Sequence, residues 1–141
     1  MQSDLRRMLE DYYEAWSSHD MDRIASFFTD DCLYDDVPMS SCQHGKEELK
    51  TSWSQFFTTC PDFRVEPKAI FGGGEWACSE WVMTGTQSGD WPGMPATGKR
   101  FSIVGASIIE LSEGRIRRNA DYWDMVSLLT QLGFMPDAPE Q

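Results

Sequence analysis

The stretch FFTTCPDFRVEPKAIF, residues 56–71, is where the spacing of the apolar residues changes. Upstream of it, Leu49, Trp53, Phe56, Phe57 and Cys60 recur every three or four residues, which predicts a helix that starts after Gly45 and is ended by Pro61. Downstream, the apolar residues of FRVEPKAIF (63–71) return at every second position, the period of a strand. Everything before this switch reads mainly as helix and everything after it mainly as strand. That order argues for an α+β fold rather than an alternating α/β one.

Towards the N-terminus, Leu5, Met8, Leu9, Tyr12 and Trp16 predict an amphipathic helix over residues 4–17. The segment SSHDMDRIASFF (17–28) offers a break, Asp20 as an N-cap, and a second short helix with Ile24, Phe27 and Phe28 facing inward. CLYDDV (32–37) alternates and reads as a short strand. Towards the C-terminus, GGGE (72–75) is a turn and WACSEWVMTGTQ (76–87) a longer strand. SGDWPGMPATG (88–98) is a Gly/Pro-rich loop that either covers a site or only links two strands. KRFSIVGASIIEL (99–111) and RIRRNADYWD (115–124) are strands around a tight SEG turn. DMVSLLTQLG (124–133) closes as a short helix with Asp124 as cap and Gly133 as stop, followed by a loose tail over 135–141. The expected architecture is a curved antiparallel sheet with about three N-terminal helices, a cone enclosing a pocket at its wide mouth.

A chain of 141 residues suits a single domain able to bury a core without staples. The net charge of −11 argues against phosphate backbones and anionic membranes as partners. Cys32, Cys42, Cys60 and Cys78 form no CxxC and only two histidines exist, so a metal site is not expected. With no apolar signal core and no run of membrane length, a cytoplasmic protein with free thiols is the expectation.

Candidate chemistry lies on two strands. In LYDDVPM (33–39), Tyr34 and Asp36 share one face. If that face looks into the cone, burial raises the Asp36 pKa towards the range of a general base; if not, Asp36 is a solvated strand-end acid. In RNADYWD (118–124), Asn119, Asp121 and Trp123 share a face. Asp121 is then either a second cavity acid or a partner for one of Arg115, Arg117 and Arg118. Two inward acids would separate into one proton donor and one acceptor. Trp81 and Met83 share a face of one strand, and Phe101 and Ile103 a face of the next, as core or as pocket wall. Tyr12 and Trp16 offer the same choice on the first helix.

These segments resemble the nuclear-transport-factor-2-like superfamily. FFTDDCLYDDVP, GKEEL, ATGKRFSIVGASIIELSEGRIRRNADYWD and LLTQLG, spread over about residues 4–134, look more narrowly like the SnoaL-like polyketide cyclase group. The likeness to ketosteroid isomerase implies that Asp36 stands at that enzyme's base and Tyr12 at its oxyanion tyrosine, while its second oxyanion acid falls near Ala106 and is missing. The likeness to limonene epoxide hydrolase implies Tyr34 as a water-binding tyrosine and Asp121 as one catalytic acid, but its arginine and second acid fall on Trp81 and Met83. SnoaL-like cyclases carry an acid at the place of Asp121 that runs an intramolecular aldol closure without a cofactor.

The expectation is therefore an enzyme using no cofactor and no metal on a hydrophobic, cyclic polyketide- or terpenoid-like molecule, by cyclisation or isomerisation. Asp121 is the principal acid/base, and Asp36 the second carboxylate, held by Tyr34 and with Tyr12 as a further candidate. Tyr12, Trp16, Trp81 and Met83 line the cavity with Phe101, Ile103 and Trp123. Epoxide hydrolysis or epoxide-opening cyclisation is the alternative chemistry, and a non-catalytic binding or dimeric interaction module the alternative of another class. The resemblance also implies a homodimer formed through the sheet face turned away from the helices.

Overall fold

The computed structural model describes residues 3–136, so all but the first two residues of the expected loose tail lie outside the described residues. Four helices and six strands follow one another as α1 (Ser3–Ser18), α2 (Met21–Ala25), β1 (Phe28–Asp36), β2 (Ser41–His44), α3 (Gly45–Thr59), β3 (Arg64–Gly73), β4 (Trp76–Thr86), β5 (Arg100–Ser112), β6 (Arg115–Trp123) and α4 (Met125–Leu132). The strands form one curved, unclosed sheet in the order β2-β1-β6-β5-β4-β3. This is the expected α+β cone, with one correction: β1 runs parallel to β6, although every other pairing is antiparallel. A parallel neighbour needs a long crossover, and the residues between β1 and β6 supply it as β2, α3 and the β3–β5 meander. Register shifts in β1, in β3 and between β5 and β6 supply the bends that curl the sheet.

Local chemistry sets the element ends. Asp20 caps α2 by accepting from the Arg23 amide at 3.1 Å, and Asp124 caps α4 by accepting from the Ser127 amide at 3.1 Å. Gly133 closes α4 in the left-handed region at φ 87°. The second helix is shorter than expected, because Phe28 already opens β1 and is buried as a strand residue. The four-residue β2 was missed altogether, since SCQH carries no apolar alternation and owes its strand form to pairing with β1.

Helix α1 packs on β3, α3 on β1 and α2, and α4 on β5. Leu9, Tyr12, Tyr13 and Trp16 turn one stripe of α1 into the concave face of the sheet. Tyr12, Trp16, Tyr34, Trp53 and Phe57 meet edge-on or tilted at 4.7–6.3 Å between ring centroids. The convex face leaves Val104 and Tyr122 exposed, and it is the face to which the homodimer expectation refers. All four cysteines are free thiols. No helix among the described residues is long and apolar enough to cross a membrane.

Candidate active site

The concave face is not filled. Between the sheet, α1, α3 and the 87–98 loop lies a cavity of about 480 Å³. The register aligns polar residues across the concave face of the strands. Ser41, Asp36, Asp121, Ser107 and Ser79 stand opposite one another in one row, each on its own strand from β2 to β4. Gln43, Tyr34 and Asn119 form the neighbouring row on the same face. A third row, Trp123, Gly105 and Trp81, brings in apolar walls. Gly105 is required there, because a Cβ would overlap the Trp81 ring that lies across it.

Asp121 is buried, 8% exposed, and takes three side-chain hydrogen bonds. Ser107 Oγ donates to its Oδ1 at 2.6 Å, Asn119 Nδ2 donates to the same oxygen at 2.7 Å, and the Tyr34 hydroxyl donates to Oδ2. The direction of each bond is fixed one step further out. The Trp81 indole can only donate, and it donates to Ser107 Oγ at 2.8 Å, so the Ser107 proton is left for Asp121. The Tyr12 hydroxyl donates to Asn119 Oδ1 at 3.0 Å, which turns the Asn119 amide nitrogen towards Asp121. Burial pushes the Asp121 carboxyl above its ordinary value, while these donors favour its charged form. Burial together with the Asp121 charge holds Tyr34 well above the usual phenol range, so it keeps its proton and remains a donor.

Asp36 is the more open of the pair. The Trp123 indole donates to its Oδ1 at 3.0 Å, and the Met39 backbone also favours its charged form. Burial, and then the charge of Asp121 beside it, raise the Asp36 pKa to about 7. One expected role is corrected here: Tyr34 holds Asp121, not Asp36, because the β1–β6 pairing puts the phenol within reach of the buried acid.

Tyr12, Trp16, Trp81 and Met83 line the cavity, with Phe101 and Trp123. Ile103 does not. It is buried, 2% exposed, within the apolar core. The sequence reading placed Asn119 on the face of Asp121 without giving it a role, and it missed Ser107, whose position facing Asp121 follows only from the register. It also missed Trp53 and Phe56 as wall residues. His44 is exposed and takes no part. The 87–98 loop contributes Asp90, Trp91 and Met94 to the wall. It is pinned by Gln87, whose amide donates to the Met94 carbonyl and accepts from the Thr97 backbone and hydroxyl. The lining carries Asp36, Asp90 and Asp121, and no Lys, Arg or His among the described residues. Nor do any three His, Cys, Asp or Glu side chains among them gather as a metal ion would need.

This geometry can be set beside known proteins. The model of the SnoaL-like polyketide cyclase family matches residues 6–132. The chain belongs to that family. Among characterised members, it is 27% identical over 143 residues to aklanonic acid methyl ester cyclase DauD of Streptomyces sp. (strain C5), covering 96% of this chain and 83% of the relative. It is 36% identical to the DnrD cyclase of Streptomyces peucetius, which also acts on aklanonic acid methyl ester, over a shorter stretch covering 48% of this chain and 46% of that one. The fold is shared with TsrD from Streptomyces laurentii at a TM-score of 0.84 and 20% identity, covering 96% of this chain and 99% of that one. Membership of this family, with these relatives, makes the SnoaL-like chain an enzyme.

Proposed function

We propose that this SnoaL-like enzyme closes a ring in a neutral polyketide ester by an intramolecular aldol reaction, using its own carboxyl groups and no cofactor. The observation that carries the reading is the cross-strand pair of Asp36 and Asp121 in one aromatic-walled cavity. Asp121, favoured as the anion by three donors, is the base. Its Oδ1 is occupied by two donors, which leaves the second lone pair of Oδ2 for the substrate. Asp36, protonated up to about pH 7, is the acid.

The step balances within the substrate. Asp121 takes a proton from the carbon next to a carbonyl, and the enolate carbon attacks a ketone. A C–C bond forms, and Asp36 gives its proton to the new alkoxide. One proton passed back from Asp121 to Asp36 resets the pair, and the product is an isomer of the substrate. The three acids and lack of cations in the lining disfavour a free carboxylate and suit an ester, the kind of molecule that the cyclase relatives act on. The aromatic walls suit a flat fused-ring skeleton. Epoxide opening is less well supported, since Trp81 and Met83 stand where its arginine relay would be and no arginine lines the cavity.

The test is turnover of aklanonic acid methyl ester by the wild type and by Asp121→Asn. The expected result is a fall in kcat of about 10³-fold, with unchanged circular dichroism. Wild-type-like turnover in the variant overturns the assignment.

A further inference from the structure

The 87–98 loop hangs from one residue, Thr59 at the end of α3. The last carbonyls of a helix have no partner within it. Here the Thr59 carbonyl accepts from the Ser88 and Gly89 amides, each at 3.0 Å. The Thr59 hydroxyl donates to the Phe56 carbonyl at 2.6 Å, and its oxygen accepts from the Trp91 indole N–H at 2.9 Å. The approach is close: a Cβ on Gly89 would come within 3.0–3.1 Å of Thr59. Inside the loop, Asp90 accepts from the Ala96 amide at 2.8 Å. Trp91 and Met94 exchange backbone hydrogen bonds at 2.9 Å across Pro92 and Gly93, the latter at φ 72°. A segment tied at this many points is built as a wall rather than a lid.

What these bonds hold in place is the Trp91 ring. It leans on Phe56 at 5.7 Å between ring centroids and meets Phe101 edge-on at 5.8 Å. Thr59, Trp91, Phe56 and Phe101 all line the cavity. The cluster is remote from the two acids. Phe101 and Ser107 lie on the same face of β5, about 20 Å apart along the strand. Ser107 is the residue opposite Asp121, so Trp91 borders the part of a ligand that does not react. An indole nitrogen can only donate, and the Trp91 proton is already given to Thr59. What is left for a ligand is a flat apolar ring.

We propose that Trp91 stacks on the unreacting end of a flat-ring ligand, and that Thr59 is the positioning residue that aims it through the indole N–H. The proposal rests on the cyclase reading for where the reacting carbons lie, and it deepens that reading by naming what selects the far end of the substrate. Asp36 and Asp121 act on one end. Trp91 favours an extended, apolar ring system at the other.

The test needs no turnover. Trp53 lines the cavity and is kept in every variant, so quenching of its fluorescence reports binding. Titrations of 9,10-anthraquinone and of 5,12-naphthacenequinone, which adds one ring, are compared at about pH 6, where Asp36 keeps its proton and can donate to a quinone carbonyl. Wild-type protein is expected to bind the four-ring probe about tenfold more tightly than the three-ring one. Trp91→Ala is expected to lose most of that preference. Thr59→Val, which keeps the shape of the side chain but not the hydroxyl, is expected to lower it about threefold. Thr59→Ser, which restores the hydroxyl, is expected to return it to the wild-type value. A purely structural role for Thr59 would weaken both probes alike and leave their ratio unchanged. Equal wild-type affinity for the two probes, a preference undiminished in Trp91→Ala, or the same ratio in Thr59→Val and Thr59→Ser overturns the proposal. The Thr59 pair decides alone if Trp91→Ala does not fold. If the wild type fails to cyclise the ester while the ratios behave as expected, the cyclase reading falls and the stacking role stands.

Discussion

Asp35 and Asp36 are consecutive residues on one strand, and they live in opposite environments. Asp35 points to the convex face, where Arg118 Nε donates to it at 2.8 Å. Burial alone would raise its carboxyl, but the Cys42 thiol and Arg118 outweigh that and hold it below its ordinary value. Asp36 points to the concave face, faces another acid instead of an arginine, and is raised to about 7. The residue type and the backbone are the same. The alternation of a strand is enough to make one acid a surface ion and the other a cavity carboxyl raised to about 7.

The comparison breaks most visibly if Asp36 is neutralised. Asp36→Asn is expected to lower kcat by about 10²-fold, because the alkoxide loses its proton donor. The wild-type pH profile should rise as Asp121 ionises and fall through about 7 as Asp36 loses its proton. The variant should keep the rise and lose the fall. Stability supplies a second readout with a definite sign. The folded pKa of Asp36 is raised above its unfolded value of about 3.9, so the stability it allows is present at low pH and is lost as pH rises from about 4 through 7. Asp36→Asn should therefore raise Tm above about pH 7, by the equivalent of at most about 4 kcal/mol, and change little near pH 4. A thermal denaturation series over that range checks it.

A smaller effect sharpens the contrast from inside the cavity. Ser107→Ala removes one of the two donors on Asp121 Oδ1 and leaves the Trp81 indole N–H without a partner. The acidic limb of the pH profile should move up by about one unit, since the Asp121 anion has lost a hydrogen bond. Stability should fall by about 1–3 kcal/mol for the orphaned indole. An unmoved limb would mean that Ser107 only packs.

How much of this was legible beforehand follows from the ranges of the forces involved. Which residues share a face of β1 could be read from LYDDVPM, and of β6 from RNADYWD, because period-2 alternation is local; which face turns inward could not. The helix caps at Asp20 and Asp124 were legible for the same reason. What alternation cannot carry is register. Ser107 opposite Asp121, Tyr34 reaching across to Asp121 and Gln43 opposite Tyr34 depend on which strands pair and with what offset. The parallel β1–β6 pairing, hidden behind a crossover spanning most of the chain, decides the reach of Tyr34, while the β5–β6 and β1–β2 pairings decide the other two. The strand β2 was invisible because its form comes from its partner, and Gln43 went unnoticed with it. Ile103 shares the face of Phe101 but is buried in the apolar core, and alternation alone does not tell core from cavity wall.

The smallest expected effect lies on the convex face, and its smallness is part of the argument. Asp35 and Arg118 are paired, yet both side chains keep a quarter or more of their surface in water, at 25% and 31%. Solvent screens such a pair and each partner gives up side-chain freedom to make it, so Arg118→Ala should cost no more than about 1 kcal/mol. That loss should shrink in high salt, which screens exposed charges. Turnover and the pH profile should not move, because the pair faces away from Asp36 and Asp121. If Arg118→Ala instead lowered kcat or displaced the fall near pH 7, charge on the convex face would be reaching the cavity through the sheet. The Asp36 value would then have to be assigned to both faces, rather than to burial and Asp121 alone.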